Sequence, residues 1–256
     1  MTTETVSILD KYYAHFENEK FIESDPISIP HKFSRKEDVE IAGFLSSTIA
    51  WGNRKAIISS CNNLIERMDN APYDFVLNAN NKDISALNGF YYRTFQEIDV
   101  FYFIHSLNNI YRNHGGLENV FTKGYNSVEI NKIKHAIFYF REIFLEKEFP
   151  QRVTKHLANP MGGSAAKRIN MFLRWMVRSN DKDVDFGIWK NISPSDLMIP
   201  LDVHVGNTAR KLNLINTNAN NWLAAETLTN ELRQLDTNDP VKYDFALFGI
   251  SNSKIF

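Results

Sequence analysis

The sequence predicts an all-α protein. Apolar residues recur at intervals of three and four along nearly the whole chain, and no segment alternates with period two over a useful length. No internal repeat, low-complexity tract or Pro- or Gly-rich linker interrupts this pattern. The expected architecture is two helical lobes flanking a central cleft. Residues 1–256 read as a single unit of two interleaved lobes, with the candidate functional segment at 151–214.

The elements follow in order. Ser34 and Glu37 stand three apart, as in a capping box, before a helix with Ile41, Phe44, Leu45 and Thr48 on one face. After Trp51-Gly52-Asn53, a second helix carries Ile57, Cys61, Leu64, Ile65 and Met68. A long helix runs through Phe95, Ile98, Phe101, Tyr102 and Ile110 and stops at Gly115-Gly116. Ile130, Ile133, Ile137, Phe140, Phe144 and Leu145 mark the next. Trp222, Ala225, Leu228, Leu232 and Leu235 mark another, and a last apolar helix spans Val241 to Phe248.

Composition narrows the function classes. Hydrophobic residues make up 43% and charged residues 23% of 256, the profile of a soluble globular protein. The 19 Phe and 10 Tyr predict an aromatic-rich core. Met1 to Thr5 lacks a signal-peptide pattern, and no apolar run approaches the ~20 residues that span a bilayer. A cytoplasmic protein with no membrane partner is expected. The one cysteine, Cys61, excludes an intramolecular disulfide, a cysteine-ligated zinc and an iron–sulfur cluster, so no cofactor is expected. The net charge of −1 is neutral on the question of nucleic acid, because placement matters more than the sum.

Charge placement is most informative between Gln151 and Asn180. This stretch holds Arg152, Lys155, Lys167, Arg168, Arg174 and Arg178 and no Asp or Glu. Within it, Gly162-Gly163-Ser164 reads as a tight turn with Ser164 as the N-cap of a helix. On a helical wheel Ala165, Ile169, Phe172, Leu173 and Met176 share one side, and Lys167, Asn170, Arg174 and Arg178 share the other. A glycine turn feeding a helix start, with a cationic stripe beside it, suits a phosphate backbone. The same pattern also fits a solvated face of an ordinary amphipathic helix.

Downstream, Pro200 and Asp202 in Ile199-Pro200-Leu201-Asp202-Val203-His204-Val205 suggest a loop turning into a helix, with Val205, Ala209 and Leu212 facing inward. Asp202 is an N-cap candidate on these grounds alone. No second acidic or histidine pair matches Asp202 and His204 at comparable spacing, so no metal is expected.

The succession of glycine turn, lysine-bearing helix and Leu201-Asp202-Val203-His204-Val205 resembles the helix-hairpin-helix superfamily of base-excision DNA glycosylases, which includes endonuclease III. Ile41 to Ser47 is similar to its early Leu-Leu-Ser helix. Gly89-Phe90-Tyr91-Tyr92-Arg93 and Asn113-His114-Gly115-Gly116 are similar to two further landmarks, so the likeness runs from about residue 35 to 250. Lys167 and Asp202 stand 35 residues apart, a gap that resembles the archaeal 8-oxoguanine glycosylases, with 181–198 as an insertion. At closer range, Lys167 to Arg178 and Asp185 to Trp189 resemble a bacterial family described only as conserved hypothetical.

The resemblance implies a DNA-repair enzyme of the nucleoid, acting on double-stranded DNA that contains a damaged base, with no obligate protein partner. Lys167 would attack the sugar and form a Schiff base, and Asp202 would accept a proton or stabilise the sugar cation. Gly162, Gly163, Ser164, Arg168, Arg174, Arg178 and His204 would hold DNA. Trp51, Trp175 and Trp189 are candidates to stack on a flipped base, though core positions suit each of them better. The alternative is a non-catalytic DNA- or RNA-binding module that retains the fold.

Overall fold

In the computed structural model, which describes residues 1–253, nearly all regular structure is helical. The chain divides into two units: Ile22–Ala158 forms one, and Met1–Phe21 joins the chain from Asn159 onward to form the other. No helix among the described residues is long and apolar enough to cross a membrane.

The Ile22–Ala158 unit is organised around the helix Lys36–Thr48, which is buried on every side from Val39 to Thr48. Its Phe44 lies 5.6 Å from Phe103 and 5.3 Å from Phe140, which in turn stacks at 4.4 Å on Phe121. These rings come from the helices Glu97–Asn113, Leu117–Asn126 and Lys132–Phe144 and are almost fully enclosed. The expected aromatic core is therefore present, each pair adding ~0.5–1.5 kcal/mol beyond burial.

Three boundaries differ from the sequence reading. Arg35, not Ser34, precedes the Lys36–Thr48 helix, and no side chain caps it. Phe95 belongs to a short hairpin of Tyr91–Tyr92 with Phe95–Gln96, because Gln96 and Asp99 build the capping box one residue later. Ile130 is 76% exposed and lies before the Lys132–Phe144 helix, where Asn131 adopts φ 56°.

In the second unit the helix Thr3–Phe16 packs on the helix Tyr243–Asn252. Gly249 makes this approach possible, since a Cβ there would overlap the Phe16 ring. The helices Lys167–Val177, Val203–Lys211 and Trp222–Arg233 complete the unit. Lys167–Val177 is buried continuously from Ile169 to Val177. It is an internal helix rather than an amphipathic surface helix.

Candidate active site

Asn159 builds the turn ahead of Lys167. Its carbonyl accepts from the N–H of Gly162 and of Ser164, and its side-chain oxygen accepts from Met161 and Gly162. Gly163 donates to Pro160 and adopts φ 87°, which needs glycine. The turn is pinned further by Trp222, whose N–H reaches the Gly163 carbonyl at 3.0 Å. Gly162, Gly163 and Ser164 are exposed, but their N–H groups are spent within the turn. A phosphate grip through those three donors is thereby corrected.

Nor is Ser164 the helix cap. Its Oγ accepts from Ala166 N–H at 3.2 Å, and Ala166 itself precedes the helix at φ 50° without a capping side chain. A buried alanine in the left-handed region costs ~1–2 kcal/mol, held here by the packing of the helix it opens. The strained residue immediately precedes Lys167.

Asp202 caps the Val203–Lys211 helix, its Oδ1 accepting from Val205 N–H at 2.9 Å. Val205, Ala209 and Leu212 are buried as the spacing requires. The second oxygen, Oδ2, stands 3.9 Å from Lys167 Nζ, with the two side chains 29% and 35% exposed. Two helix starts, 35 residues apart in sequence, thus present an amine and a carboxylate to one another at a solvent-accessible position.

The family described as "Protein of unknown function (DUF2400)" matches residues 25–253. The chain belongs to the DUF2400 family. No curated protein and no solved structure matches it.

In this DUF2400 chain the cationic stripe is not a surface. Arg174 and Arg178 are each 3% exposed. Arg174 pairs with Asp185 at 3.3 Å and with Asp244 at 2.5 Å. Arg178 pairs with Asp185 at 2.7 Å, Glu17 at 2.6 Å and Asp239 at 2.8 Å. The Phe245 ring lies under both guanidinium groups, at 4.3 and 5.5 Å. Burial alone would lower the Arg178 pKa, but Asp185, Asp239 and Glu17 outweigh it and raise the value above an ordinary arginine's. The assignment of Arg174 and Arg178 to DNA phosphates is therefore corrected: they are buried ions that join five segments of the unit.

The wheel could not see this, because every carboxylate partner lies outside the Gln151–Asn180 stretch. One signal was available. Asp185 stands between Val184 and Phe186, and Asp244 is a lone charge in Tyr243-Asp244-Phe245-Ala246-Leu247-Phe248. Acids inside apolar runs need buried cations.

Trp175 and Trp189 are 0% and 1% exposed, and Trp189 packs edge-on to Phe172 at 5.3 Å. They are core residues, which corrects their candidacy as stacking platforms. Trp51 lies in the Ile22–Ala158 unit, half-buried against Tyr92, whose hydroxyl donates to the Trp51 carbonyl at 2.7 Å. Arg168 is partly buried, and desolvation lowers its pKa. His204 is exposed one residue beyond Val203, which is itself 59% exposed.

Asp244 was not singled out by the sequence reading. Burial pushes its pKa up to about 6, against the pull of Arg174 and Lys167 and with a further push from Asp202. Lys167 accordingly has carboxylates as its charged neighbours. Among the described residues no cluster of three or more His, Cys, Asp or Glu side chains could hold a metal ion.

Proposed function

We propose that this protein is a DNA base-excision glycosylase with AP-lyase activity, Lys167 being the nucleophile and Asp202 its carboxylate partner. The observation that carries the reading is the 3.9 Å approach of Lys167 Nζ to Asp202 Oδ2. Cap and catalyst are compatible roles for Asp202, since one oxygen serves the helix and the other faces the amine.

The substrate is a damaged base in duplex DNA, with an oxidised purine such as 8-oxoguanine first in line. A base must leave the stack before its glycosidic bond can be reached. The Lys167 amine then forms a bond to the anomeric carbon as the base departs with the bonding electron pair. Ring opening leaves a Schiff base, from which the 3′ strand is eliminated. Ionised Asp202 stabilises the positive charge that develops on the sugar. With Arg174 and Arg178 committed internally, DNA contacts fall to exposed His204 and half-buried Arg168.

Borohydride trapping on lesion-bearing duplexes tests the reading. Wild-type protein should yield a covalent adduct, and Lys167→Gln should yield none while still binding duplex. Asp202→Asn should slow trapping ~10²–10³-fold with the helix cap kept. Absence of any adduct across a panel of lesions, with binding retained, would replace the enzyme by a non-catalytic nucleic-acid-binding module.

A further inference from the structure

We propose that Arg210 is a positioning residue, which sets the approach of Lys167 to Asp202 through a strap formed by residues 217–222. Its functional meaning rests on the reading of that pair as nucleophile and carboxylate. The two side chains do not fix one another. Lys167 Nζ stands 3.9 Å from Asp202 Oδ2 and 3.8 Å from the Met171 sulfur, the first too long for a strong hydrogen bond and the second to a weak acceptor. With 29% and 35% exposure the ion pair is open to water, where such pairs add little. Their alignment must therefore come from the backbone that carries them.

On the Lys167 side, the helix start has no capping side chain. The turn before it is tied instead to the start of the Trp222–Arg233 helix. Trp222 N–H donates to the Gly163 carbonyl at 3.0 Å, and Ser164 pairs with Asn221 across an isolated antiparallel bridge. Asn221 is itself fixed as the cap of that helix, its Oδ1 accepting from Ala224 N–H at 3.0 Å.

On the Asp202 side, the same strap lies on the Val203–Lys211 helix. Gly206 donates to the Asp202 carbonyl at 2.9 Å, one turn along from the cap. A Cβ on Gly206 would overlap the Asn220 side-chain oxygen, so this glycine lets the strap rest directly on the helix. Arg210, half-buried on the next turn, holds it there. Its Nε donates to the Thr217 carbonyl at 2.6 Å, and one terminal nitrogen donates to the Ala219 carbonyl at 3.1 Å and to Asn220 Oδ1 at 2.6 Å. The other reaches Asn207 Oδ1 on its own helix at 3.3 Å. Only a planar fork of donors spans acceptors placed this way.

A continuous path results. Asp202 and Arg210 share one helix, Arg210 grips 217–220, and Asn221 and Trp222 grip the turn that leads into Lys167. Both helix starts are thus referenced to six residues of strap, and Arg210 is the side chain that ties the strap to the carboxylate's helix.

The test uses the full-length protein with lysine labelled at Cε, the Lys167 NMR signal being assigned by its loss in Lys167→Gln. Asp202→Asn should displace that signal, and in an Arg210→Met background the displacement should fall to less than half. Exchange of the Trp222 N–H should also quicken ~10-fold or more in Arg210→Met. No displacement in the first comparison, an undiminished one in the second, or unchanged exchange overturns the proposal. These arms need no substrate, so they stand apart from the glycosylase reading, whose failure is marked by the absence of any adduct. For an active wild type, Arg210→Met should slow trapping at saturating duplex ~10–10²-fold, as a small misplacement of a nucleophile does, with half-saturation within about twofold. Arg210→Lys should not restore the rate, because an ammonium cannot span the strap. A folded Arg210→Met that traps at the wild-type rate overturns positioning, as does a change confined to half-saturation, which would make Arg210 a DNA contact. Gly206→Ala guards against misfolding, since alanine favours a helix interior while crowding Asn220 off Arg210. It should weaken the Lys167–Asp202 displacement without lowering Tm, and an undiminished displacement there overturns the proposal even if Arg210→Met fails to fold.

Discussion

Arg178→Met should unfold this protein far more readily than a change at a DNA-contacting cation would. Arg178 is 3% exposed and serves three carboxylates. Asp239 is 26% exposed and can turn to water, and Asp185 keeps Arg174 at 3.3 Å. Glu17 is the costly orphan: its side chain is 3% exposed, Oε1 rests on Arg178, and Oε2 has no partner. Removing one member of a buried ion pair costs ~3–5 kcal/mol, and methionine refills much of the volume, so lost packing adds little. A protein of this size loses ~2–4 °C of Tm per kcal/mol, which predicts a fall of roughly 6–20 °C. Glu17→Gln should rescue part of it in the double variant. Thermal melts of the four proteins give the answer. A single variant within ~0.5 kcal/mol of wild type would refute the buried network and return Arg178 to an exposed basic face.

Further outcomes follow from the same packing. Trp175→Ala and Trp189→Ala should each cost ~3–5 kcal/mol in urea titrations, as core truncations do, whereas a stacking platform would tolerate the change and lose only lesion binding. Asp202→Asn should melt within ~1 kcal/mol of wild type because the amide keeps a capping oxygen, and Asp202→Ala should cost ~1 kcal/mol; a larger loss in the amide variant would give the charge a structural role. Asp244 binds its proton more tightly folded than unfolded, so its contribution to stability is present below ~3.9 and is lost as pH rises through about 6. At ~1.36 kcal/mol per pH unit that interval is worth ~3 kcal/mol, and Asp244→Asn should remove this component from the dependence of urea midpoints on pH.

Helix content, order and most inward faces were legible in the sequence, because periodicity reports which side of a helix meets apolar neighbours. Ile57, Cys61, Leu64 and Ile65 were read correctly on that basis, and Asp202 was legible as a cap because capping is local. Boundaries slipped where one residue's backbone decides them, as at Ser34 and Phe95.

The sequence by itself determined an α-helical chain with Lys167 and Asp202 each near a helix start. The tertiary structure alone decided that these two side chains meet, since 35 residues of intervening chain carry no local instruction about distance. It also decided what the arginines are for. A helical wheel counts Arg174 and Arg178 as polar and places them outside, but polarity governs exposure only when no partner is buried alongside. Glu17, Asp185, Asp239 and Asp244 come from remote segments and compensate the desolvation of both guanidinium groups. Long-range pairing of charge, unlike helical periodicity, has no signature within the window of a single element.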